Sequence, residues 1–573
     1  MKRSHKSILF FLFLFLLLLS STAQQKPQQP PKKPRLVLAV VVDQFRYDYL
    51  LRYGRDYNGG IARLLAKGAI FADARYIHYP TVTAVGHSTF LSGATPSISG
   101  IIGNDWFDRQ VFDAKVEAAK KSGNPIDKEA FKKNARVTSV SDPTESLLGK
   151  PGCAIEPKPV PECQGSSPRR LLVSTVGDEL KMAKDLSPAT HGTAKVIGIS
   201  MKDRSAILPS GHMADAAYWF EANQFVTSTY YMKDKKLPPW VAEYNKQGPA
   251  EPYLNREWTA LDAKQGEKPF CSMAKAGPGS CGKIEETPFG NEIVEAFAEK
   301  VIENEIVRKN PGPLDGPDIL TVSFSSNDYV GHKLGPDAPE IRDMCRRTDQ
   351  TLGKLLDFID ARLGAGNTLV VFTADHGVSP TPAANKSRNM PGGYLNSKEY
   401  AGLIGNALSA RFGEANWFLF GDTDQDYGYL YLDHETLAKQ ADPAAVLRFA
   451  AGIARGLPNV ARVYTRDDLL RGSAPADWPG RAVQLGFYGP RSADLVLVPE
   501  PYYMFGGYKS GTTHQTPYSY DNHVPLIFFG PGIRAGVHYE PVIINDVAPT
   551  LAAILGVETP SGAFGRILAE IFE

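Results

Sequence analysis

Three short clusters of acidic and histidine side chains follow apolar runs that read as buried strands. Asp43 follows Leu36–Val42, Asp328 and His332 follow Ile319–Phe324, and Asp375–His376 follows Leu369–Thr373. In open α/β sheets ligands gather outside the carboxyl ends of strands, so residues far apart in sequence can converge there. Three carboxylates with imidazoles suit divalent metals of borderline softness, zinc above all. A pair of such ions would leave positions open for a substrate. The spacing of Asp328 and His332 places them on one face if the segment is helical. Asp375 and His376 are adjacent, which suits a strand-to-loop corner. Taken singly, a D-H pair is weak evidence, and a capping or salt-bridging role is its default.

A nucleophile is expected near such ions. Pro80–His87 (PTVTAVGH) supplies hydroxyls just before a helical stretch, and a helix N-terminus stabilises negative charge. Thr81, Thr83 and Ser88 all compete on this reading, and turn or capping chemistry is the alternative for each.

The elements that must position these residues alternate between strand-like and helical patterns, which predicts an α/β fold. Helical spacing covers Asn291–Val307 and Pro339–Leu363, the latter ended by Gly364 and Gly366. Late strands are expected at Asp494–Pro499 and Val524–Phe529. A short helix with an acidic N-cap is expected over Asp546–Leu555, before Gly556. Two segments break the rhythm and read as insertions on one core: 120–170, polar and Pro-rich, and 205–288, rich in aromatics.

The 573 residues can bury one large core or several smaller ones. A formal net charge of +1 gives no basis for a nucleic-acid-binding role. Lys2, Arg3 and Lys6 precede the apolar run Ile8–Leu19, and Ser21–Ala23 offers small residues for cleavage before Gln24. Residues 1–23 therefore read as a signal peptide, 24–35 as a Pro/Gln-rich linker and 36–573 as the catalytic domain. The run is too short for a membrane span, so a secreted or periplasmic protein is expected. Of the five cysteines, Cys153–Cys163 and Cys271–Cys281 are expected to pair, with Cys345 a buried thiol.

The motifs VVDQF, TVTAVGH, IIGNDWF, KDRSAILPSGH, the D-x-x-x-H element and the D-H element occur in this order. In this combination the chain resembles the alkaline phosphatase superfamily, most closely its exported threonine-nucleophile phosphomonoesterases of the PafA type. The resemblance covers nearly all of the mature chain. It implies a doubly wound central sheet with helices on both faces and cap insertions. It implies two zinc ions, one held by Asp328, His332 and His514, the other by Asp43, Asp375 and His376. Thr83 would be the nucleophile, forming a phosphothreonine. Asn104, Lys202 and Arg204 would bind the phosphoryl oxygens. The last ligand has a rival in His523, but His514 follows the Gly-Thr-Thr turn where related members keep theirs.

An alkaline phosphatase acting on small phosphate monoesters, as a monomer, is thus expected. The rivals are a phosphodiesterase or nucleotide pyrophosphatase of the same superfamily, and a catalytically inactive phosphate-binding protein. A sulfatase is set aside for lack of a motif that would make its formylglycine nucleophile.

Overall fold

The computed structural model describes residues 33–156, 159–183, 194–307, 317–419, 427–506 and 509–572. The expected signal peptide and nearly all of the linker lie outside them. Among the described residues, twelve strands build a central mixed sheet: β1 (Leu36–Val42), β2 (Ala69–Arg75), β3 (Ser141–Leu148), β4 (Gln164–Ser166), β5 (Val196–Ser200), β6 (Ala216–Glu221), β7 (Gln224–Ser228), β8 (Asp318–Phe324), β9 (Thr368–Thr373), β10 (His523–Phe529), β11 (Gly536–His538) and β12 (Val542–Ile543). The order is β11-β2-β10-β9-β1-β8-β5-β6-β7-β3-β4, with β12 on β2.

The middle five strands, β9-β1-β8-β5-β6, run parallel. Parallel strands covered on both faces read as unbroken apolar runs, and every residue of β1 is buried. Helices Gly60–Lys67, Pro288–Val301 and Pro339–Leu363 pack together as one group, and Thr83–Ser92, Val176–Met182 and Val547–Leu555 as another. The helix expected over Asn291–Val307 begins earlier, at Pro288, and its last turn, Ile302–Ile306, widens to a π-helix.

Three features depart from expectation. The segment 205–288 does not merely decorate the sheet, since it supplies β6 and β7; the segment 120–170 supplies β3 and β4. The strand at Leu495–Pro499 belongs to a separate antiparallel sheet with Tyr429–Leu430 and Val460–Thr465, backed by helices Ser397–Phe412 and Pro443–Arg455 around their own apolar cluster. Asp546 does not cap the helix Val547–Leu555; its carboxylate accepts instead from the backbone N–H groups of Ile543 and Arg566.

Disulfides join Cys153 to Cys163 and Cys271 to Cys281, while Cys345 is a buried free thiol. Each bridge closes a short loop, its cysteines 10 positions apart, and restricts the unfolded chain. No helix among the described residues is long and apolar enough to cross a membrane.

Candidate active site

The parallel strands end together, and the loops after them carry the acidic and histidine residues. Asp43 leaves β1 with its N–H donating to Phe324 O at 3.0 Å, which ties that turn to β8. Asp328 and His332 lie on the helix Ser326–Leu334 that follows β8. Asp375 and His376 stand at the corner after β9.

Two groups of ligand atoms result, each gathered within 4.8 Å: Asp328, His332 and His514, and Asp43, Asp375 and His376. His523 joins neither. Its ring stacks on Tyr47, with centroids 4.4 Å apart, and its Nε2 lies 3.0 Å from Ala72 O. The His376 and His514 rings stack at 3.5 Å, so the two groups are neighbours.

All six residues fit a pair of metal ions on chemical grounds. Nδ1 of His332 faces Thr512 O at 2.8 Å, Nδ1 of His514 faces Thr81 O at 2.7 Å, and Nδ1 of His376 faces Gly377 O at 2.9 Å. A carbonyl oxygen can only accept, so each Nδ1 carries a proton, and in the neutral ring that leaves Nε2 free to ligate a metal. Those Nε2 atoms face carboxylates: His332 lies 3.1 Å and His514 3.6 Å from Asp328 Oδ1, and His376 lies 3.5 Å from Asp43 Oδ1 and 3.4 Å from Asp375 Oδ2. Asp43 Oδ1 is buried and accepts no hydrogen bond, a costly state that a cation would relieve.

The electrostatics agree. Burial, and then the Asp375 carboxylate, push the Asp43 carboxyl well above its ordinary range. Burial pushes the His376 imidazole down to about 3, leaving it neutral. Burial would also raise Asp328, but His332 and Lys202 overcome it and hold that carboxyl well below the usual range.

Thr83 is the first residue of the helix Thr83–Ser92, and its Oγ1 lies 3.4 Å from His376 Nε2. The rival hydroxyls are engaged elsewhere: Thr81 Oγ1 donates to Thr516 O at 2.9 Å, and Ser88 Oγ to Val85 O at 3.0 Å. Gly86 lets this helix press on the loop that carries Asp375 and His376, since a Cβ there would stand 2.2 Å from Asp375 O. Asn104 Oδ1 accepts from the Ala84 N–H at 2.7 Å, at the mouth of the same helix. The Lys202 ammonium lies between the two groups, donating to Asp43 Oδ2 at 2.7 Å and Asp328 Oδ2 at 2.6 Å, with the Tyr329 ring 4.9 Å away. Arg204, two residues on, lies within the field of Asp203, Asp43 and Asp328, and its buried Nε makes no hydrogen bond.

Sequence reasoning gave no role to His87 or Gln44. His87 is one turn beyond Thr83, and its Nδ1 lies 2.9 Å from Thr83 O and 3.2 Å from Asp375 Oδ2; the four-residue spacing was the available signal. Gln44 carried none beyond adjacency to Asp43. The sulfatase exclusion also needs correcting. Ser166–Arg170 reads SSPRR, which does fit the serine form of that motif, S-x-P-x-R. Ser166 Oγ, however, donates to Asp203 Oδ2 at 3.0 Å, whereas Thr83 Oγ1 is the hydroxyl that lies against His376.

A sheet whose parallel strands end at two neighbouring candidate ligand groups defines an α/β protein with a candidate two-metal site. Residues 37–523 match the family described as type I phosphodiesterase / nucleotide pyrophosphatase, and the chain belongs to that family, within the alkaline phosphatase superfamily. It is 32% identical to alkaline phosphatase PafA of Elizabethkingia meningoseptica, over 94% of each chain. It is 33% identical to a Myroides odoratus protein named calcium-transporting ATPase, over 94% of this chain and 95% of the other. Alkaline phosphatase PhoV of Synechococcus elongatus is 31% identical, over 94% and 93%. The crystal structure of wild-type PafA superimposes with a TM-score of 0.79 at 31% identity, covering 95% of this chain and 99% of that one.

Proposed function

We propose that the protein is an alkaline phosphatase that hydrolyses phosphate monoesters through a phosphothreonine at Thr83, in a site holding two zinc ions. The observation that carries this reading is the buried Thr83 hydroxyl at a helix N-terminus, against one ligand group and next to the other. Zinc, when bound, lowers the pKa of a coordinated hydroxyl and offsets charge on a phosphoryl group. Three imidazoles favour zinc over calcium or magnesium, which take oxygen ligands.

The chain's own residues supply the rest. The N-terminus of the helix Thr83–Ser92 favours an anionic phosphoryl group beside Thr83. The hydrogen bond from Ala84 fixes the Asn104 amide at that end. Lys202 and Arg204 add positive charge where the non-bridging oxygens of a monoester dianion would approach; a diester, with one oxygen blocked, gains less. The relatives named alkaline phosphatase support the monoester reading. A PafA structure carrying substitutions at a threonine, an asparagine, a lysine and an arginine adds support. Its threonine and asparagine are separated by 21 positions and its lysine and arginine by two, the separations of Thr83 from Asn104 and of Lys202 from Arg204.

Turnover of aryl phosphate monoesters and diesters by metal-analysed protein tests this. Monoester kcat/KM is expected to be the larger, and a preference for diesters overturns the reading. Replacing Lys202 and Arg204 together with alanine, compared at equal zinc content, should reduce monoester kcat/KM far more than diester kcat/KM. A charge-assisted contact is worth about 1.5–3 kcal/mol, so the monoester loss is roughly tenfold or more per contact. Equal losses on both substrates would remove the pair from dianion recognition.

The basic, then apolar, N-terminal segment and the two disulfides support a secreted or periplasmic mature chain beginning at or near Gln24. Intact-mass measurement of exported protein checks this; a retained Met1 counts against it.

A further inference from the structure

Gln44 touches all three carboxylates of the candidate ligand set from a single position. It follows Asp43 covalently. Its backbone N–H donates to Asp375 Oδ1 at 3.1 Å. Its side-chain amide donates to Asp328 Oδ1 at 2.6 Å. The residue is buried, 2% exposed, and its φ of 61° lies in the left-handed region, where a non-glycine residue persists only when its surroundings hold it. The helix carrying Asp328 and His332 makes room for it at Gly331, where a Cβ would stand 1.8 Å from Gln44 Oε1.

Asp328 is thereby fixed at both oxygens, Oδ1 by Gln44 and Oδ2 by Lys202. Oδ1 is also the oxygen that His332 Nε2 and His514 Nε2 face. A carboxylate oxygen has two lone pairs. An amide on one of them orients the other toward a metal and limits rotation of the carboxylate. Outer hydrogen bonds of this kind tune metal affinity as well as ligand orientation.

We infer that Gln44 is a positioning residue that sets the Asp328–His332–His514 metal site through its side chain and the Asp43–Asp375–His376 site through its backbone. This rests on the two-metal reading above. It has a consequence that general loss of packing lacks. A side-chain substitution removes the donor to Asp328 but keeps the N–H to Asp375, so the two sites must respond differently.

The test isolates each site and reads zinc affinity by chelator competition. His376→Ala leaves the Asp328 group intact, and His332→Ala leaves the Asp43 group intact. Gln44→Met, which keeps the length and loses the donor, is placed in both backgrounds. The expected result is a loss of roughly 10–100-fold in zinc affinity in the His376→Ala background, the range for an outer hydrogen-bonding partner, and less than about threefold in the His332→Ala background. Gln44→Asn retains an amide and tolerates the left-handed φ, but is one methylene short, and should follow the Met variant. It serves alone if the Met variant does not fold. Equal losses in both backgrounds, or none in either, overturn the inference. Failure of the unsubstituted protein to take up zinc would overturn the two-metal reading, and this inference with it.

Discussion

Replacing Thr83 by alanine is expected to leave a folded protein with its metals and to lower phosphate monoester turnover by roughly three orders of magnitude or more, about 4 kcal/mol of transition-state stabilisation. Thr83 is the hydroxyl against His376, whereas Thr81 and Ser88 donate to backbone carbonyls. Its helix position puts the developing charge at the positive end of the peptide dipoles. Thr83→Ser, which removes only a methyl group, should remain active. Acid quenching during turnover should trap phosphate on Thr83, located by peptide mass spectrometry. Transfer of a chiral phosphate to an alcohol acceptor should proceed with net retention, because two inversions occur. Phosphate on Thr81 or Ser88, or net inversion, would displace Thr83 from this role.

The second large effect separates His514, the ligand favoured from sequence, from its rival His523. His514→Ala should lose one of two zinc ions and more than roughly 100-fold of activity, beyond what an outer-shell substitution typically costs. His523→Ala should keep both ions and stay within about threefold of the parent. His514 Nε2 faces Asp328 with its Nδ1 on Thr81 O, while His523 is occupied by Tyr47 and Ala72 at the start of β10. Zinc content by elemental analysis, with activity at saturating metal, decides between them. The reverse pattern would reassign the ligand. Chelator treatment of the parent should abolish turnover, and zinc should restore it.

The parts of the fold most readable in sequence are those buried on both faces. Leu36–Val42 forms β1 over its whole predicted length, and the runs before Asp328 and Asp375 form β8 and β9 with one residue added to each. Continuous apolar runs bounded by polar corners leave few alternatives. β6 and β7 were hidden because an aromatic-rich stretch near a disulfide loop reads equally well as decoration. The small sheet of residues 429–499 was hidden for another reason: its strands and helices continue the α/β rhythm, so composition marks no boundary. Five of the six candidate ligand residues were legible because they follow recognisable strands, whereas His514 rested on the family resemblance. Gln44 was not, because its role depends on a left-handed turn that brings a side chain and an amide to two other loops. The missing cap at Asp546 shows the same limit: a residue type suited to one partner found two others.

The packing of Gly86 against Asp375 bears on how far the site can drift. Between the helix that presents Thr83 and the loop that presents Asp375 and His376 there is no room for even a methyl group. Their separation is therefore gauged by backbone atoms, whose dimensions do not vary from one sequence to another. Side chains elsewhere in these elements can change without altering the distance between hydroxyl and ligands, while a displacement of about 1 Å at such a site can cost roughly 100-fold in rate. The working clearance of the site is in this sense a property of the main chain.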